Sequence, residues 1–123
     1  MWPDVEKALI AHLSRELGVR AAVSTPAELE QLPGFLRITR GPGSDDGVTD
    51  SPVVDVEAFA PTRAAARDLA ERARQSMHAL TGRRSGGLLF DSVRTSVAPS
   101  WVGWGNTKVH RYVAVYAVQF RPY

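Results

Sequence analysis

The 123-residue chain contains no cysteine. Disulfides, thiolate zinc sites and a cysteine nucleophile are therefore excluded, and stability has to come from packing or from neighbouring subunits. No apolar run approaches the roughly 20 residues needed to cross a bilayer, and the N-terminus lacks the basic segment and apolar stretch of a secretory signal. The expectation is synthesis and use in the cytoplasm, or within an assembly formed there. Reaction motifs are missing as well. Gly-x-Ser-x-Gly does not occur, and neither glycine-rich piece, GPGSDDG or RRSGG, ends in the Gly-Lys-Ser/Thr of a phosphate-binding loop. The first of these is also acidic, which opposes phosphate binding. His12, His78 and His110 lie far apart, with no His-x-x-x-His or Glu-x-x-His spacing to suggest zinc. The chain calls for no cofactor and no metal, and reads as a non-enzyme.

What it has is a charge division. Residues 1–60 hold five Lys/Arg against ten Asp/Glu, a net of −5, whereas residues 61–123 hold ten against three, a net of +7. The overall +2 is too small to point to nucleic acid by itself. A small domain whose two halves carry opposite charge presents complementary surfaces to copies of itself, which is a basis for head-to-tail rings. With 44% hydrophobic residues, the length suits a single domain over residues 1–123 with one core.

Hydrophobic periodicity gives the elements. Val5, Leu9, Leu13 and Leu17 recur every four residues, so Pro3 to Leu17 reads as an amphipathic helix ending at Gly18. Val19 to Ser24 alternates as a strand, and Thr25-Pro26-Ala27-Glu28 reads as the start of a short helical turn ending near Pro33. Phe35 to Arg40 is a strand ending in Gly41-Pro42-Gly43, and the run from there to Pro52 reads as an exposed, mobile loop bearing Asp45, Asp46 and Asp50. A third strand spans Pro52 to Ala60. Thr62 then caps the longest helix, whose buried stripe is Ala66, Leu69, Ala73, Met77 and Leu80, with Asp68 and Arg72 spaced as an i,i+4 pair and Gly82 closing it. Arg83 to Gly87 reads as a basic, flexible connection. Leu88 to Ala98 and Val109 to Phe120 are the last strands, joined by a turn-rich loop, Pro99 to Lys108, that carries Trp101 and Trp104. The order predicts an α+β domain, a mixed and mostly antiparallel sheet of about five strands with two helices on one face. The strand, long helix and strand in its middle form a β-α-β connection that predicts some parallel pairing.

Three constellations can be weighed. Asp55-x-Glu57 puts two acids on one strand face, where they could hold a divalent cation with Asp91 as a distant third ligand, but Phe59 stands where a nuclease-like lysine would be expected. The arginines along the long helix could touch phosphates, though Asp68 and Glu71 interrupt the row, so a solvated face is the simpler reading. The loop tryptophans fit either a protein interface or packing back onto the sheet edge.

The pieces VEKALIAHLSREL, LGVRAAVSTPAELEQLPGFLRITR, PVVDVEAFAPTRAAARDLAERARQSMHAL and RYVAVYAVQFRPY, in this order and spacing, resemble the tail terminator proteins of long-tailed bacteriophages. The resemblance lies in the arrangement and covers almost the whole chain. It implies a hexameric ring in the neck of the virion that stops polymerisation of the major tail tube protein and offers the docking face for the head-tail connector. Genomic DNA would pass through its channel without sequence-specific binding, and no membrane is involved. Under that expectation the candidate contact residues are Asp45, Asp46 and Asp50, Arg83 and Arg84, and Trp101, Trp104 and Lys108. The alternatives are a head-tail connector or head-closure protein of the same region, and a small nucleic-acid-binding or nuclease-like domain.

Overall fold

The computed structural model describes residues 3–123. Helix α1 (Val5–Leu17) begins two residues later than the expected Pro3, where the Asp4 carboxylate accepts the Lys7 backbone N–H at 3.1 Å, and it ends as expected at Gly18, with φ +66°. Strand β1 (Arg20–Ala22) follows, then a single 3₁₀ turn at Leu29–Gln31. That turn lies later than the sequence suggests and has no side-chain cap. Glu28 is drawn instead to Arg20 of β1 at 2.6 Å.

Strands β2 (Phe35–Asp45) and β3 (Asp50–Ala60) form a long antiparallel hairpin. The run from Gly41 to Pro52, expected to be a mobile loop, is therefore largely strand. Beyond Arg37 no strand pairs with the outer edge of β2, so Pro42 costs the ladder nothing where the register shifts between Arg40 and Gly43. Gly43 then permits a backbone approach that excludes a side chain, since a Cβ there would lie 2.3 Å from Pro52 Cα. Only the tip, Asp46 to Thr49, remains a turn.

Helix α2 (Arg63–His78) starts under the Thr62 hydroxyl, which accepts the Ala65 N–H, and its predicted stripe is buried. The expected Asp68–Arg72 pair does not form: Arg72 donates to the Leu17 carbonyl at the end of α1, and Glu71 pairs with Arg74. The supposedly flexible Arg83–Gly87 connection is a tight hairpin. Its first arm is a sixth strand, β4 (Arg84–Ser85), and both turn glycines have positive φ, as a two-residue turn requires. At Gly86 the demand is double, because a Cβ would also lie 2.8 Å from that of Ala8 on α1.

Strands β5 (Leu88–Trp101) and β6 (His110–Pro122) complete a six-stranded sheet in the order β1-β2-β3-β6-β5-β4. Strands β3 and β5 run in the same direction around α2, but β6 lies between them, so the parallel pairing is β1 with β2 instead. Both helices cover one sheet face. There Leu9, Leu13, Ile38, Val54, Met77, Phe90, Tyr116 and Phe120 make one continuous core, and each large apolar side chain contributes about 1.5–3 kcal/mol by its burial.

The chain order gives this topology a consequence for charge. Residues 1–60 supply β1, β2 and β3, and residues 61–123 supply β6, β5 and β4, so the two sequence halves build opposite halves of the sheet; the strands themselves carry a net of −1 and +3, and the rest of the charge difference lies on the helices and loops. Of the six ion pairs among the described residues, only Glu57–Arg111 crosses the seam. The opposite net charges are thus left largely uncancelled within the subunit.

Candidate functional site

The helix-free face of the sheet carries a second, smaller cluster. Phe35, Phe59, Leu29 and Val109 are buried there, with Leu32 and Trp104 packed against them. Trp104 therefore folds back onto the sheet, with its ring edge-on to Phe59 at 5.0 Å. Beside it stands the most elaborate polar constellation of the described residues. The Glu57 carboxylate, 8% exposed, accepts two hydrogen bonds from Arg37 at 2.7 Å each and a third from Arg111 at 3.1 Å. Both guanidinium groups also lie over Trp104, Arg37 at 5.4 Å and Arg111 at 4.9 Å from the ring centroid. Arg111 donates further to the Gly103 and Val102 carbonyls. The pair raises the Arg37 pKa, chiefly through its hydrogen bonds to Glu57. Asp55 and Glu57 share a face, as the alternation predicts, but Glu57 is a counter-ion for two arginines and not a group open to a cation. Among the described residues no three His, Asp or Glu side chains gather as a metal site would need.

This clamp fixes the loop after β5 and leaves Trp101 outward. Trp101 ends β5 at 42% exposed, next in the chain to exposed Val102; its indole N–H donates to His110 Nδ1, and Arg63 stacks on its ring at 4.8 Å. Lys108 is exposed, and its backbone N–H donates to the side chain of Asn106, which is tied in turn to Glu30.

The other candidate residues separate into two groups. Asp45 and Asp46 occupy the exposed tip of the β2–β3 hairpin. Asp45 accepts the Gly47 N–H, and Asp46 accepts the N–H groups of Thr49 and Val48, which hold its carboxyl below the usual carboxylate value. Asp50 does not belong with them. It is 3% exposed and bidentate with Arg40, at 2.7 and 2.9 Å, and this pairing raises the arginine's pKa. Its expected place in a solvated loop is corrected by the pairing of Asp45 with Asp50 in the ladder.

Arg84 stacks on Tyr123 at 4.4 Å. Arg83 lines a groove of about 330 Å³ between α1 and α2 that also includes Glu16, Leu17, Arg72 and Ala79. At its base His12 and Ser76 share a hydrogen bond of 2.9 Å, joining the two helices. The eight candidates are thus not brought into one site. Reasoning from sequence also missed the Glu57 clamp, whose members lie 20 and 54 residues apart and carry no local signal.

No protein-family model matches the chain, and no curated protein matches its sequence. Its fold is similar to that of a chain in the virion of a native gene transfer agent particle, with a TM-score of 0.66 and 11% identity over 95% of this chain and 94% of the other.

Proposed function

We propose that the chain is a structural protein of a phage virion, and within that class a tail terminator: a ring, hexameric by the resemblance, at the head-proximal end of the tail tube. The ring ends polymerisation of the tube protein, gives the head-tail connector its docking face and passes DNA without reading its sequence. It performs no bond-making chemistry, is assembled in the host cytoplasm and resides in the virion neck. The observation that carries the reading is the opposite net charge of the two sequence halves, which the strand order places on opposite sides of the subunit. A heterologous contact between unlike halves closes into a ring when the rotation between neighbours allows it. The likeness in fold to a chain of a virion supports the broader class.

Deletion of the gene tests the reading. Tails of abnormal length that fail to join heads are expected, and tails of normal length contradict it. The same experiment separates the head-closure alternative, because losing a closure protein leaves tube length untouched.

A further inference from the structure

The charge division says which halves of neighbouring subunits should meet, but not through which parts. Two features of the surface fit one another. The first is the hairpin tip, where Asp45 and Asp46 form no ion pair among the described residues and each carboxylate is oriented by backbone N–H groups of its own turn. In the same turn, two residues after Asp46, stands Val48, 60% exposed, the most exposed valine of the described residues. The tip is therefore a preorganised apolar knob flanked by two carboxylates, on a hairpin whose strands hold it rigidly.

The second feature is the groove between α1 and α2. Arg72 and Arg83 line it and form no ion pair with any described residue, while Leu17 and Ala79 supply its apolar part. Glu16 is the one carboxylate in the lining, so the groove remains cationic in net charge. Its volume of about 330 Å³ sits at the lower end of the roughly 300–1,000 Å³ of small-ligand pockets, a size for a few side chains. The tip belongs to the acidic half and the groove's arginines to the basic half.

We propose that the β2–β3 hairpin tip of one copy seats in the α1–α2 groove of the next, with Val48 against Leu17 and Ala79, and Asp45 and Asp46 facing Arg72 and Arg83. The contact is heterologous, since tip and groove are different surfaces, and it propagates around a ring. It rests on the ring reading above and names the contact that closes it. Glu16 opposes the incoming carboxylates, so its neutralisation strengthens the contact.

The absence of cysteine makes a disulfide trap clean. Val48→Cys and Ala79→Cys place thiols on exposed positions of tip and groove without removing any charge. Mixing the two variants, one carrying a mass tag, under mild oxidation should link unlike chains at least tenfold more than like chains. Asp45→Lys with Asp46→Lys on the first partner, or Arg72→Glu with Arg83→Glu on the second, should cut that yield at least tenfold. Combining the two reversals should restore it, and Glu16→Gln should raise the yield of the original pair. Native mass spectrometry of the unmodified chain runs in parallel. Closed oligomers without the Val48–Ala79 link, or a link indifferent to charge reversal, overturn this contact and leave the ring standing. A chain that stays monomeric and unlinked also overturns the contact, while the ring reading is then judged by tail length.

Discussion

Replacing Glu57 by alanine is the sharpest test of how the fold presents its outward loop. The carboxylate accepts all three of its hydrogen bonds from Arg37 and Arg111, whose side chains are 25% and 17% exposed. Removing one member of a buried ion pair costs about 3–5 kcal/mol, because the remaining charge is left desolvated without a partner. Partial access of both arginines to water places the loss at the lower end, about 3 kcal/mol. An unfolding entropy of about 2.1 cal/mol/K per residue gives about 0.26 kcal/mol/K for this chain, so the melting temperature should fall by about 12 °C. Circular dichroism melts and urea titration measure this directly. Trp104 fluorescence should shift to the red as its two stacked guanidinium groups lose their common anchor. Glu28→Ala is the control: its pair with Arg20 is exposed on both sides, and its removal should leave the melting temperature nearly unchanged. A Glu57→Ala variant that melts with the control refutes the clamp as a source of stability.

Two further outcomes follow from the packing. The Tyr116 hydroxyl is buried without a hydrogen-bond partner among the described residues, and burial pushes its pKa up to about 12. The folded chain keeps a proton that the unfolded chain releases near pH 10, so wild-type stability should fall as pH rises from about 10 towards 12. Tyr116→Phe should remove that contribution to alkaline loss and be about 1 kcal/mol more stable at neutral pH, as read by urea unfolding at a series of pH values. Gly86→Ala should destabilise by about 2–3 kcal/mol, through positive φ and the clash with Ala8, and Ala8→Gly should recover part of the loss in the double variant. Full stability in the single variant would contradict the close approach.

Local signals carried far in this sequence, and non-local ones did not. The two helices were legible because side chains three and four residues apart must share a face, and because Thr62 and Gly18 have the chemistry of helix ends. The segment from Gly41 to Pro52 was misread because glycine, proline and aspartate are turn formers by local preference. Its strand conformation is imposed by pairing between β2 and β3, across which Arg40 also finds Asp50. The same limit hid β4, whose two residues are a strand only by virtue of Leu88 and Leu89 opposite them. Of the candidate residues, Asp45, Asp46, Arg83, Arg84, Trp101 and Lys108 are exposed as expected. Trp104 illustrates the converse: loop composition left an interface and packing back onto the sheet equally open, and the partners that decide for packing, Phe59, Arg37 and Arg111, come from three different strands. The charge division was visible as a count, but its meaning required the strand order, which places the seam between β3 and β6.

The central claim is that this subunit works by closing with its own kind into a collar between tail and head. Cryo-electron microscopy of complete particles from a host carrying the gene measures this directly. The account predicts density for this chain as a closed ring seated on the last layer of the tail tube, with the acidic half of one chain meeting the basic half of the next at each subunit boundary. Density elsewhere in the particle, or a single unringed copy at the neck, would contradict it.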